Sequence, residues 1–250
     1  MQEAMFVGPA ARQVFASYHP PAGGAGRVLT VICPPLLYED QRTHSALRDL
    51  AAALAQSGQH VMRFDYQGSG DSFGELEEMA VSDWLDDIAL VEREGREISG
   101  SRVVHLVGVR AGALLACRAA SVLPAVKRVV VWDPVIDGRD YVRTLSDAQM
   151  ALCDLHALLD RAQRRAAMCE YAGYVLSERM VADLRSLDTR VYSDLAPGML
   201  RVITTSQQPF PIAGVPCDTI SYECEWESVS NEPLVPRPVL ERLVECLTRP

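Results

Sequence analysis

Val103-Val-His-Leu-Val-Gly108-Val109-Arg110-Ala111-Gly112-Ala113-Leu-Leu115 is the stretch on which the reading of the chain turns. A short β-branched apolar run feeds directly into Gly-x-x-x-Gly, and helix-forming Ala and Leu follow at once. Such a run reads as a buried strand, and the residues after it as a helix. Glycines at both ends of the join suit a turn where backbone comes too close for side chains. The centre of this turn is Arg110, a permanently charged residue with donors only.

Working outward, three further apolar runs, Val28 to Cys33, Val61 to Phe64 and Val129 to Trp132, lack polar alternation, as strands covered on both faces should. Amphipathic helices fall between them. Leu47, Leu50, Ala51 and Leu54 form one stripe that Gly58 stops; Trp84, Ile88 and Val91 form another, with Ser82 and Asp83 as caps. Strand and helix alternating in this way predict an α/β fold with a mostly parallel central sheet flanked by helices. An antiparallel lead-in strand is expected at Arg12 to Tyr18. From about Asp140 to Tyr192 the chain offers no strand candidate, which predicts a helical cap insertion over residues 140–192 within one domain spanning 1–250. Leu200 to Thr204 and Thr219 to Tyr222 read as the last strands, and Arg237 to Leu247 as a closing helix. Ligands of open α/β sheets bind at the carboxyl ends of the strands, beneath such a cap.

The chain has 250 residues and a formal net charge of −9, against a surface built for nucleic acid. Met1 to Ala10 shows no signal-peptide pattern and no apolar run reaches bilayer length, so a cytoplasmic protein without a membrane span is expected. The seven cysteines include no Cys-x-x-Cys and read as reduced residues; with the five histidines they form no zinc spacing. No cofactor is expected, and the oligomeric state is left open.

Three other segments accompany the Gly-x-Arg-x-Gly turn. They are Val31-Ile-Cys-Pro34-Pro35-Leu36-Leu-Tyr-Glu39, Arg63-Phe-Asp65-Tyr-Gln-Gly68-Ser-Gly70-Asp71-Ser72 and Val130-Val-Trp132-Asp133-Pro134-Val-Ile-Asp137-Gly138. Together they resemble the α/β-hydrolase superfamily over residues 11 to 140. Within it the chain is similar to serine-aminopeptidase-like and exosortase-A-system-associated hydrolase-like proteins, several of which carry arginine in the elbow. The resemblance implies an oxyanion-loop role for the first segment and the nucleophile position for residue 110. Arginine cannot serve as an activated nucleophile. The family's histidine follows the last strand, whereas the last histidine here is His156, in the expected cap.

The resemblance therefore implies a hydrolase scaffold without an intact Ser-His-Asp triad. Arg110 beside the start of a helix suits a carboxylate or acyl group. The backbone N–H groups of Leu36 and Ala111 would form an oxyanion-hole-like pair. Glu39, His44 and Asp133 are candidate acid, base or positioning groups, and Pro35, Tyr38, Asp65, Val109, Trp132 and Asp137 candidate pocket walls. Alternatively Arg110 bridges internally to Asp133, Asp65 or Glu39. Cys33 is a candidate displaced nucleophile, and His105 reads as a satisfied core residue. Trp226, Tyr141, Met150, Tyr171 and Tyr174 read as core or cap packing. Two functions remain: a non-hydrolytic enzyme acting on an acyl- or carboxylate-bearing small molecule, such as a cyclase or lyase, and a silent relative binding such a ligand or a partner protein. A hydrolase with relocated residues is the third.

Overall fold

The computed structural model describes residues 2–23, 26–155, 170–228 and 232–249. Eight strands form one sheet: β1 (Glu3–Val7), β2 (Val14–His19), β3 (Val28–Cys33), β4 (His60–Phe64), β5 (Val103–Val109), β6 (Val126–Trp132), β9 (Leu200–Thr204) and β10 (Cys217–Thr219). Their order is β1-β2-β4-β3-β5-β6-β9-β10. β2 is antiparallel to β1 and β4, and every later pairing is parallel. This is the α/β-hydrolase fold.

Alternation along each strand sends side chains to opposite faces. Ile32, Val107, Val109, Val130 and Trp132 meet Leu47, Leu50 and Leu54 of α1 (Tyr38–Gln56) and Val239 and Leu243 of α7 (Arg237–Thr248). Val31, Leu106, Val129 and Val131 face the other way, against Trp84, Ile88 and Val91 of α2 (Val81–Ser99) and Leu114 and Leu115 of α3 (Ala111–Ala120). The uninterrupted apolar runs in the sequence are the consequence of this two-sided burial.

Between β6 and β9 lie α4 (Gly138–Leu155), a two-residue hairpin of β7 (Glu170–Tyr171) and β8 (Tyr174–Val175), α5 (Glu178–Ser186) and the single turn α6 (Arg190–Ser193). The strand-free reading of this segment needs correction. Ala172 and Gly173, at φ 51° and 88°, turn the chain back as a primed hairpin does. The middle of the expected cap, residues 156–169 with His156, lies outside the described residues.

Three smaller expectations also shift. β1 completes an edge hairpin that five residues of mixed exposure did not announce. β10 pairs at Cys217–Thr219 and not at Thr219 to Tyr222, because its partner β9 ends at Thr204. Helix α2 begins after Ala80, so Ser82 is no cap, whereas Asp83 Oδ2 accepts from Ala80 N–H at 2.9 Å.

Candidate functional site

β5 hands over to α3 at Arg110, whose backbone sits at φ 52° and ψ −123°, outside the comfortable range of a side-chain-bearing residue. Two contacts explain the flanking glycines. A Cβ on Gly108 would come within 2.6 Å of Ala113 Cα, and one on Gly112 would run into the carbonyl oxygen of Pro34. The turn is thereby pressed against the loop that leaves β3.

The guanidinium is held on three sides. Arg110 Nε–H donates to Glu39 Oε1 at 3.0 Å, Nη1–H donates to the Asp133 carbonyl at 3.2 Å, and the indole of Trp226 lies 5.0 Å from Cζ. The other oxygen of Glu39 accepts from the Tyr141 hydroxyl at 3.1 Å. The Glu39 side chain is 1% exposed and that of Arg110 18%. Burial raises the Glu39 carboxyl above its ordinary value, against the pull of Arg110 and the Tyr141 hydroxyl. Burial also works against the Arg110 charge, but Glu39 outweighs it, and the guanidinium ends above its usual value. No protein acceptor among the described residues takes Nη2 of Arg110.

Asp133 follows β6 directly, at φ 41°, and is a saturated acceptor. Oδ1 receives Thr204 Oγ1–H at 3.0 Å and Thr205 N–H at 2.6 Å; Oδ2 receives the indole N–H groups of Trp132 (3.1 Å) and Trp226 (2.8 Å) and Thr205 Oγ1–H (2.7 Å). One carboxylate therefore ties the end of β6 to the end of β9 and to the segment after β10. That segment is also fastened to α1, since Arg42 donates to the carbonyls of Glu225 and Ser228, and the Tyr38 hydroxyl to that of Trp226.

Over this floor opens a pocket of about 670 Å³, walled by Arg110, Asp133, Thr205, Phe210, Glu223 and Trp226 among others. It lies at the carboxyl ends of β6 and β9. With fold and site in view, the chain can be set beside known proteins. Residues 42–198, more than half the chain, match the model of the family described as serine aminopeptidase, S33. The chain belongs to that hydrolase family. Among curated proteins none matches significantly. Solved structures of the same fold include Est1E from Butyrivibrio proteoclasticus, with ferulic acid bound (TM-score 0.60, 15% identity, 98% of this chain and 96% of that one). A putative hydrolase from Agrobacterium vitis S4 gives a TM-score of 0.57 at 17% identity over 99% and 97%. The α/β hydrolase GrgF from Penicillium sp. sh18 gives 0.58 at 14% over 82% and 80%.

In this S33-family chain the expected site residues do not all converge. Arg110 and Asp133 share the large pocket, and Glu39 stands directly behind Arg110. Pro35 and Leu36 line a different cavity, shared with Asp40 and Tyr174, and not the pocket walled by Arg110. Ala111 is buried at the first position of α3, where its N–H is one of the helix's unpaired donors. His44 is a correction: it is exposed on α1 with Arg63 and Asp65 as charged neighbours, away from Arg110, and burial lowers it.

The proposed walls need correction too. Val109 and Trp132 are fully buried core residues, and Tyr38 is buried on its bond to Trp226. Asp65 accepts from Asp71 N–H and so closes the Gly68–Gly70 turn, while Asp137 accepts from Arg139 N–H at the start of α4. Of the three internal partners weighed for Arg110, Glu39 is the one it bridges, with the main chain of Asp133 assisting. Cys33 is fully buried, and burial pushes its thiol far up, which removes it as a nucleophile. His105 is buried with Nδ1 unpartnered, and burial pulls it down to about 4, so it is a core residue left unsatisfied. Trp226, read as packing, proves central; its place after the last strand, where the family's histidine belongs, was the available signal. Among the described residues no group of His, Cys, Asp and Glu converges as a metal site, and no helix is long and apolar enough to cross a membrane.

Proposed function

We propose that this chain binds an acyl- or carboxylate-bearing small molecule in the 670 Å³ pocket, through Arg110, without forming an acyl-enzyme. The observation that carries this reading is the state of the guanidinium. Nε and Nη1 are fixed by Glu39 and Asp133, leaving Nη2 without a protein acceptor on a residue that walls the pocket. A charged donor oriented in this way recognises a carboxylate at little further ordering cost. The described parts of the 140–192 insertion serve as the cap of this domain. The Tyr192 hydroxyl, bonded to the Val135 carbonyl at 2.6 Å, and the Tyr192–Phe210 ring contact fasten its end to the pocket rim.

The silent relative fits better than the non-hydrolytic enzyme because the carboxylates nearest Arg110 are engaged. Asp133 accepts five hydrogen bonds and Glu39 is bound by Arg110 and Tyr141, so neither is free to exchange a proton with a ligand. A cyclase- or lyase-like enzyme remains the second reading, favoured by the Glu223 carboxylate and the Ser221 hydroxyl on the same pocket wall.

The test is calorimetric titration with octanoate and, separately, octanamide. Wild-type protein is expected to prefer the carboxylate. The paired variant Arg110→Met/Glu39→Gln, which removes the cation without stranding a buried anion, should lose about 1.5–3 kcal/mol of that binding. Equal binding of octanoate by both proteins refutes the role of Arg110. Arg110→Ser should leave p-nitrophenyl esters intact, since no histidine follows β10 to activate the hydroxyl. Hydrolysis above a buffer blank would show a relocated triad instead.

A further inference from the structure

Arg110 accounts for one end of a ligand, and the walls of the 670 Å³ pocket constrain the rest of it. At depth the pocket is closed to a ligand except at the guanidinium. Asp133 already takes five donors, and Thr204 and Thr205 give their hydroxyls to it. Higher up, two segments supply the walls: Gln207, Gln208 and Phe210 come from the stretch after β9, and Ser221, Tyr222 and Glu223 from the stretch after β10. Among the described residues the side chains of Gln207, Gln208, Ser221, Tyr222 and Glu223 have no hydrogen-bond or ion-pair partner within the protein. The same segments hold two rings. Phe210 stands edge-to-face against Tyr192 of α6 at 5.5 Å, and Tyr222 is 38% exposed.

The pocket therefore grades from one buried cation to a rim of neutral amides, hydroxyls, one carboxylate and two rings. An alkyl chain laid along that rim would take its polar groups out of water and return none of their hydrogen bonds, which is costly for each of them. A flat aromatic acid would use the rings and still strand the amides. A body that carries several hydroxyls restores the bonds, because each O–H both donates and accepts: it can donate to Glu223, which only accepts, and exchange either way with the two glutamines. The C–H face of a saturated ring, slightly positive, suits the negative faces of Phe210 and Tyr222.

We infer that the ligand of this pocket is a sugar acid, a pyranose bearing a carboxylate. Its carboxylate is bound by Nη2 of Arg110, its hydroxyls by Gln207, Gln208, Ser221 and Glu223, and its C–H face by Phe210 and Tyr222. This rests on the carboxylate reading above and narrows it to one class of carboxylate. Binding is reversible, with no bond of the sugar made or broken.

The experiment titrates the full chain calorimetrically with methyl β-D-glucuronide and methyl α-D-galacturonide, and compares them with octanoate, 3-phenylpropanoate and the uncharged methyl β-D-glucoside. At least one uronide is expected to bind roughly ten-fold or more tightly than octanoate, phenylpropanoate and the glucoside alike, as in sites built to hydrogen-bond a substrate. Gln207→Ala/Gln208→Ala, at two exposed positions, should cut the advantage over octanoate several-fold. Arg110→Met/Glu39→Gln should remove the advantage over the glucoside. If octanoate or phenylpropanoate binds as tightly as both uronides and more tightly than the glucoside, the sugar acid is overturned and the carboxylate reading stands. If the glucoside binds as tightly as the uronides, or no carboxylate binds at all, both fall. A uronide advantage over octanoate unchanged in Gln207→Ala/Gln208→Ala also overturns the inference, because the hydroxyls would then be bound elsewhere.

Discussion

Replacing Arg110 by Met removes one member of the ion pair and leaves the other in place. Glu39 then keeps only the Tyr141 hydroxyl in a site where its side chain is 1% exposed. Stranding a buried charge costs about 3–5 kcal/mol, which for a chain of this size lowers Tm by roughly 6–20 °C. The loss must depend on pH. With the Arg110 pull gone, burial is opposed only by the Tyr141 hydroxyl and the more distant Arg42, and Glu39 rises further above its ordinary 4.5. A carboxyl raised in the folded state holds its proton more tightly there than in the unfolded chain. Its destabilising effect is therefore absent below the unfolded value and grows as pH climbs through the folded one. Urea unfolding of Arg110→Met should show a deficit near its full size at pH 8 that shrinks substantially at pH 5. Arg110→Met/Glu39→Gln, with no charge left to bury, should recover most of the pH 8 loss. An Arg110→Met deficit equal at both pH values, or a double variant no more stable than the single one, would refute Glu39 as the buried counter-ion.

Two further substitutions examine the frame around that pair. Asp133→Ala strands two indole N–H groups, two threonine hydroxyls and one backbone N–H, all at the ends of β6 and β9. Each unsatisfied donor costs about 1–3 kcal/mol before relaxation, so the domain should be destabilised by more than any single-bond loss, with Trp226 fluorescence shifting to the red as its loop detaches; a melt within 2 °C of wild type would contradict the clamp. Gly112→Ala drives a methyl into the Pro34 carbonyl and should displace the loop after β3, lowering stability by about 1–3 kcal/mol, as overpacking does. An unchanged denaturation midpoint would mean that the two segments do not touch.

How far the sequence could be read follows from where its information is local. Val28 to Cys33 and Leu200 to Thr204 match their strands to the residue, because two-sided burial leaves an apolar run that no neighbour is needed to interpret. The primed turn at Ala172-Gly173 lacks the Asn-Gly signal, so the hairpin beside the cavity of Asp40 was invisible. The site was legible only as a position. Residue 110 was marked by its glycines, yet its surroundings are made by residues far away in the chain: Glu39 lies 71 positions before it, and Trp226 joins Asp133 across 93. No periodicity encodes such pairings. Chemistry does constrain them, however. A serine at this turn requires no counter-charge, whereas an arginine buried there requires an anion, and the start of α1 is the element that comes within reach of the turn. Arg110 and Glu39 therefore act as one unit spread over two segments: either residue alone would leave a charge without a partner in the interior, and together they can occupy the elbow.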